Sequence, residues 1–142
     1  MAPLRTSPPP PRADELRRWT LDTATELRGL RAGLHEALTG EELLAGERLD
    51  EIPELVALVA SELATNALRH GIPPTIVRLL ADDDHFYLVV ADHDLTSVPE
   101  LADTRPLGAG GRGLQLAQSF SLDVGWYATE HTKNIWASFP RR

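Results

Sequence analysis

A carboxylate and a side-chain amide lie four residues apart in an apolar stretch near the middle of this chain. They are Glu62 and Asn66, within the run from Ser61 to Gly71. In a helix this spacing places both side chains on one face, separated by roughly 6 Å along the axis. One group can then contact a reacting oxygen while the other contacts a metal ion on the same phosphate. The spacing alone is also typical of a solvated helix face, but together with Asp92 and a glycine-rich segment farther along it suggests phosphate chemistry.

A glycine-rich segment occurs farther along the chain. Residues 108–113 read Gly-Ala-Gly-Gly-Arg-Gly, and the apolar residues that follow predict a helix over 113–121. Glycine lets backbone N–H groups approach a phosphate at a helix N-terminus, where the dipole favours anions. A flexible linker is the alternative interpretation, but the apolar helix favours phosphate binding. Lys133 is the only lysine, so this segment is not a P-loop of the GxxxxGK[ST] type.

Composition excludes several classes of function. The chain has 142 residues, a net charge of −7 and no cysteine. It therefore has no disulfide, thiolate metal site or thiol nucleophile. The negative charge argues against sequence-independent binding to nucleic acid or to an anionic membrane. No apolar run approaches the roughly 20 residues of a membrane span, and prolines stand where a secretory signal needs an apolar core, so we expect a cytoplasmic protein.

The chain divides into a short leader and one domain. Residues 1–12 are proline-rich and are expected to form a disordered tail, followed by a single domain over 13–142. Periodicity and turn residues predict strands over 17–23, 75–80, 85–91, 124–129 and 134–139, and helices over 25–38, 52–70 and 113–121. This order predicts an α+β fold, a two-layer sandwich with the helices on one face of a mixed sheet.

Two further patterns are better explained by structure than by a site. The acidic clusters 82–84 and 92–94 flank a predicted strand, which would hold Asp84 and Asp92 about 26 Å apart and so exclude a shared metal ion. The three tryptophans are more typical of core or interface packing than of an aromatic binding surface. They are Trp19, Trp126 and Trp136.

The order of these features resembles the GHKL superfamily, which contains the ATP-binding domains of DNA gyrase, the MutL repair proteins and histidine kinases. The resemblance rests on Glu62-x-x-x-Asn66, on Asp92 after an apolar strand, and on Gly111-x-Gly113-Leu114 at the start of a helix. Within that superfamily, the run up to Gly71 and the residues 133–137 look like the anti-sigma-factor serine kinases, which are small stand-alone proteins. The resemblance covers about residues 13–139.

The resemblance implies a role for each matching residue. Glu62 would be the general base, Asn66 would coordinate Mg²⁺, and Asp92 would accept a hydrogen bond from the adenine amino group of ATP. The segment 95–110 would form a lid over the nucleotide. The remaining nucleotide-binding residues would be Gly111, Arg112, Gly113 and Leu114.

The same resemblance implies the partners and leaves alternatives open. The protein would bind a sigma factor and phosphorylate a serine on an antagonist protein. The resemblance also suggests a homodimer. The family often has Asp-x-Gly after the strand, whereas this chain has Asp92-His93-Asp94. That departure motivates a second hypothesis, a non-catalytic protein-binding module with weak or no nucleotide binding. An ATPase without a protein substrate is a third and lesser hypothesis.

Overall fold

Five strands and two α-helices make up the part of the chain that the structure, a computed structural model, describes: residues 6, 13–40, 51–96 and 123–141. Of the described helices, none is both long and apolar enough to cross a membrane. The elements in chain order are β1 (Asp14–Leu21), a 3₁₀ turn (Ala24–Glu26), α1 (Leu27–Gly40), α2 (Glu51–His70), β2 (Thr75–Ala81), β3 (His85–Asp92), β4 (Asp123–Ala128) and β5 (Lys133–Pro140).

The five strands form one sheet in the order β1-β2-β3-β5-β4. All four neighbouring pairs are antiparallel, so the expectation of a mixed sheet is wrong for these strands. The parallel contact that the described residues show is an isolated bridge between Thr6 and Trp126. Short hairpin connections join β2 to β3 and β4 to β5, and such connections produce antiparallel neighbours.

Both helices cover one face of this sheet, and the predicted α+β class is confirmed. The helix α2 packs on β2, β3 and β5, while α1 packs on α2 and β1. Alternate residues of the strands point into the core, as the two-residue period of a strand requires. The core contains Val77 and Leu79 of β2, Leu88 and Val90 of β3, Phe139 of β5, and the helical residues Leu30, Leu34, Val56, Val59, Ala60, Leu63 and Ala64.

The first strand and the first helix differ from their predicted bounds. The strand expected over 17–23 spans Asp14–Leu21, because Asp14 already pairs with Ala81 of β2. It ends where Glu26 Oε1 accepts the backbone N–H groups of Asp22 (2.8 Å) and Thr23 (3.1 Å), an arrangement that starts a helical turn. The helix then continues through Gly40 instead of ending at 38. One glycine at a helix end lowers helix propensity without preventing the last turn.

The tryptophans pack in the folded structure, as the sequence predicts. Trp19 and Trp126 pack against the core, and Trp136 is 6% exposed. The Trp19 side chain of β1 packs directly against Gly33 of α1. A Cβ placed on Gly33 would lie 2.7 Å from the indole Nε1. The guanidinium of Arg17 lies 5.2 Å from the centre of the Trp19 ring, which allows a cation–π contact. A strand with few apolar residues is thereby held to the helical layer.

Candidate functional site

Glu62 and Asn66 lie one turn apart on the long helix α2, as their spacing predicts. The apolar stripe of α2 faces the sheet, so these two polar residues lie on its flank and both are half-buried. Between them, the Thr65 hydroxyl donates to the carbonyl oxygen of Ser61 at 2.6 Å, which satisfies that hydroxyl within the helix. The helix therefore holds a carboxylate and an amide at the border between core and solvent.

Glu62 is among the residues that line a groove between the two helices. The groove has a volume of about 760 Å³. From α1 it is lined by Arg28, Arg31 and His35, and from α2 by residues that include Glu54 and Glu62. Asn66 lies one turn farther along, towards the C-terminal end of α2. A group entering this groove from solvent can reach Glu62.

The C-terminal end of α2 is fastened to the end of β3. The backbone N–H of His93 donates to the carbonyl oxygen of Ile72 at 3.0 Å, and the His93 imidazole Nδ1 lies 3.2 Å from the carbonyl oxygen of Pro74. A Cβ placed on Gly71 would lie 2.6 Å from the carboxylate of Asp92. Asn66, five residues before Gly71, and Asp92 therefore belong to the same end of the fold.

Asp92 is a buried carboxylate at the last position of β3. Its side chain accepts the backbone N–H of Asp94 at 2.7 Å, and the residue is 5% exposed. Burial raises the pKa of Asp92, while the Asp94 N–H and the nearby Lys133 ammonium oppose that rise. A buried carboxylate with an oxygen directed at a ligand can accept a hydrogen bond from an amino group. This is the role predicted for Asp92.

Two residues beside Asp92 were not among the predicted site residues. Lys133 is opposite Asp92 in the β3–β5 register, and its Nζ lies 3.9 Å from Asp92 Oδ2 and 4.0 Å from Asp94 Oδ2. Ile76 of β2 pairs with Ala91 of β3, so the preceding residue of β2, Thr75, lies next to Asp92. Thr75 and Lys133 therefore flank Asp92 from opposite sides. Thr75 is 0% exposed, and its hydroxyl has no hydrogen-bond partner. A hint in the sequence is that Lys133 is the only lysine of the chain.

Asp94, where the resembling family often has glycine, fits without backbone strain. Among the described residues, no non-glycine residue has a positive φ, so Asp94 is not left-handed. Its carboxylate accepts the backbone N–H of Thr96 at 3.0 Å and the Thr96 hydroxyl at 2.7 Å. The side chain thus closes a local turn at the point where the chain leaves β3.

The remaining predicted site residues lie outside the described part of the chain. They are Gly111, Arg112, Gly113 and Leu114, together with residues 97–110 of the expected lid and the expected helix over 113–121. Their roles stay predictions. The division into a tail over 1–12 and a domain over 13–142 is a prediction as well.

The described residues have the chemistry that Mg²⁺ and ATP require. Glu62 and Asn66 offer carboxylate and amide oxygens, which are the hard donors that Mg²⁺ prefers. At Asp92 the cluster combines a carboxylate acceptor, the Lys133 donor and the unsatisfied Thr75 hydroxyl. Such a mixture suits the edge of a nucleobase, which carries donors and acceptors side by side.

An α+β sandwich in which a helix carrying Glu and Asn ends beside a buried strand-terminal Asp is the arrangement expected of a kinase-like ATP-binding domain. The comparison with protein families agrees, because residues 20–139 match the histidine kinase-like ATPase domain. The chain belongs to this family and to the GHKL superfamily that it represents. No curated protein matches the sequence.

Proposed function

We propose that this protein is an ATP-dependent protein serine kinase that acts as an anti-sigma factor. It binds a sigma factor, and it phosphorylates a serine on an antagonist protein. The phosphorylated antagonist then dissociates from the kinase, which is free to bind its sigma factor. An ATP-binding domain alone specifies none of the following, which are proposed here: the reaction, the serine substrate and the two protein partners. The observation that carries the proposal is the position of Glu62, on the helix that bears Asn66 and in a groove open to solvent.

The position of Glu62 suits transfer to a protein hydroxyl. The groove between α1 and α2 is bordered by both helices over several turns, from Leu27 to His35 and from Glu54 to Thr65. An extended segment of a protein has room along it, and on its α1 side Arg28 and Arg31 offer positive charge to an acidic neighbour of the serine. A serine entering this groove meets the Glu62 carboxylate.

In the proposed reaction Glu62 accepts the proton of the serine hydroxyl while the serine oxygen forms a bond to the γ-phosphorus. The bond between that phosphorus and the β–γ bridging oxygen breaks, and ADP leaves. Asn66 would hold Mg²⁺ with its amide oxygen, and Asp92 would accept a hydrogen bond from the adenine amino group. The ion would offset the charge of the phosphates. The protein contributes mainly position and electrostatics, as is usual in phosphoryl transfer.

The test is transfer of label from γ-labelled Mg-ATP to protein serine in an extract of the source cells, followed by phosphoamino acid analysis. The Glu62→Ala variant is expected to lose transfer by about a hundredfold or more, because a general base contributes that much. It should retain ATP binding in calorimetry. Glu54→Ala is the matched control, since Glu54 lines the same groove from the same helix. Transfer that survives Glu62→Ala and falls in Glu54→Ala would refute the assigned role.

The partner part of the proposal needs its own measurement. Purified sigma factors of the source organism are tested for binding to the protein in the presence of ADP. We expect one of them to bind, and to be released when the phosphorylatable antagonist is added. If the protein phosphorylates serine but binds no sigma factor, it is a protein kinase without an anti-sigma role.

A non-catalytic binding module is the second candidate function. The observation that favours it is the carboxylate of Asp94, which adds a second negative charge near Asp92, 4.0 Å from Lys133 Nζ. A second negative charge beside the base would disfavour a nucleotide. Calorimetry with Mg-ATP separates the two candidates: micromolar affinity excludes the module, and no binding up to millimolar ATP favours it.

A further inference from the structure

We propose that Lys133 and Asp92 together recognise the nucleobase. Lys133 donates a hydrogen bond to the ring nitrogen N1 of adenine, and Asp92 accepts a hydrogen bond from the neighbouring amino group. The inference rests on the proposed ATP site and adds a specificity-determining residue to it. It explains why a charged side chain occupies this position of the sheet.

The register of the sheet brings the two side chains together. Asp92 and Lys133 are directly opposite each other on β3 and β5, and both belong to the face that α2 covers. Side chains that are opposite each other in an antiparallel pair stand side by side on one face. Any ligand group held by Asp92 is therefore also within reach of Lys133.

The spacing of the charges suits a ligand placed against both. The Lys133 Nζ lies 3.9 Å from Asp92 Oδ2 and 4.0 Å from Asp94 Oδ2. Both separations exceed the length of a direct N–H···O hydrogen bond, which is about 2.7–3.2 Å. The ammonium thus lies near both carboxylates at ion-pair distances. A ligand edge that presents a donor next to an acceptor can lie along Asp92 and Lys133.

The burial of Lys133 and Asp92 bears on why charged residues occupy these positions. Lys133 is 9% exposed and Asp92 is 5% exposed. Removing such charges from water is costly, and well-packed apolar residues often replace a buried ion pair at no loss of stability. The two carboxylates stabilise the ammonium within the fold. A ligand that uses both charges is a further reason for a lysine at this position.

The chemistry of the base decides which ligand fits. Adenine carries an amino donor next to the ring acceptor N1, so a carboxylate and an ammonium side by side complement this edge. Guanine presents a carbonyl oxygen and a protonated N1 in the same places, so its donor and acceptor are exchanged. In the orientation that serves adenine, guanine would place its oxygen against Asp92 and its N–H against Lys133.

The test uses calorimetry with ATP and with 1-deaza-ATP, in which carbon replaces N1 while the amino group is kept. We expect the wild-type protein to bind 1-deaza-ATP about ten- to a hundredfold more weakly than ATP, the range for a lost hydrogen bond to a charged group. In Lys133→Met the two nucleotides should bind with nearly equal affinity. Arg78→Met is the matched control, because it removes one cation from a strand of the same sheet whose side chain lies on the opposite face.

The outcomes separate this inference from the function on which it rests. If the wild-type protein binds ATP and 1-deaza-ATP equally, Lys133 does not read N1, and the proposed kinase function is unaffected. If it binds neither, the nucleotide site itself fails. The comparison of the two nucleotides on the wild-type protein holds even if Lys133→Met fails to fold, which circular dichroism would show.

Discussion

Gly71 lies directly against the carboxylate of Asp92. A Cβ on Gly71 would be 2.6 Å from both Cγ and Oδ2 of Asp92 and 2.7 Å from the carbonyl oxygen of Ala67. The φ of Gly71 is not in the left-handed region, and its N–H donates to the Ala67 oxygen at 2.8 Å as a continuation of the helix. Glycine is needed here for space. The close approach joins the end of the helix that carries Glu62 and Asn66 to the strand that carries Asp92.

The first prediction follows from this contact. In Gly71→Ala the new methyl group meets a backbone oxygen as well as a buried carboxylate, so the helix end or Asp92 must move. We expect a loss of about 1–3 kcal/mol in the free energy of unfolding, as for other overpacked sites, together with weaker ATP binding. Urea unfolding followed by tryptophan fluorescence, and calorimetry with Mg-ATP, measure the two effects.

The control for this substitution is Gly29→Ala in α1. A Cβ on Gly29 has no other atom within 4 Å, and the residue is exposed. Alanine there should stabilise the helix by about 0.5–1 kcal/mol through its higher propensity. An unchanged unfolding midpoint for Gly71→Ala would contradict the close approach to Asp92.

The second prediction concerns the pH dependence of stability. Burial raises the pKa of Asp92 above its ordinary value of 3.8. Between 3.8 and the raised pKa, the folded state keeps a proton that the unfolded state has released, so this carboxylate lowers the free energy of unfolding as pH rises through that window. Asp92→Asn removes the titration. We expect the stability of the variant relative to wild type to increase as pH rises from acid through the window and to level off above it.

Urea unfolding at a series of pH values measures this difference. Asp83→Asn removes an exposed charge of the same sign and therefore reports the effect of net charge alone. A stability difference for Asp92→Asn that decreases with pH would have the opposite sign to the effect of burial. It would show that the attraction of Lys133 exceeds the cost of burying Asp92.

The third prediction concerns the turn between β2 and β3. The Tyr87 hydroxyl donates to Asp82 Oδ2 at 2.9 Å, and burial together with this carboxylate raises the pKa of Tyr87 to about 12 from 10.0. Tyr87→Phe should cost about 1–2 kcal/mol near neutral pH through the lost hydrogen bond. Above pH 10 the unfolded wild-type chain ionises while the folded protein does not, so wild-type stability falls and the difference should shrink.

Unfolding curves measured from pH 7 to pH 11 follow this difference. Tyr127→Phe changes the other tyrosine of the chain and accounts for effects of alkaline pH that do not involve Tyr87. A difference between Tyr87→Phe and wild type that stays constant up to pH 11 would mean that the hydroxyl of Tyr87 titrates alike in both states.

Local sequence patterns predicted most of the elements because those elements depend on local rules. The helix predicted over 52–70 is α2, Glu51–His70, since its apolar period and its terminal glycine are both local signals. The hairpin of β2 and β3 is present where residues 81–84, with their three aspartates, separate the two predicted strands. There the side chain of Asp82 accepts the backbone N–H groups of Asp84 at 2.9 Å and of His85 at 2.7 Å.

Pairing between distant strands was not predictable in the same way. The position of β5 between β3 and β4 depends on contacts that no short pattern encodes, and the strand directions in the sheet, expected to be mixed, are antiparallel in the described strands. The same limit hid part of the site. Lys133 stands at the start of a strand and gains its neighbour Asp92 only when β3 and β5 pair. Glu62 and Asn66 were recognisable because a single helix sets their spacing.

The last prediction concerns Asn66 and Mg²⁺. If the Asn66 amide oxygen coordinates the ion, wild-type protein binds ATP more tightly with Mg²⁺ than with a chelator, and Asn66→Ala removes most of this difference. Asn134→Ala is the matched control, because Asn134 is the other asparagine of the chain and its amide already donates to the Thr132 hydroxyl at 2.9 Å. Calorimetry with and without Mg²⁺ on the three proteins measures the dependence. A magnesium effect that persists in Asn66→Ala would place the ion on other ligands, whereas its loss in that variant alone would support a phosphate-bound ion held by α2.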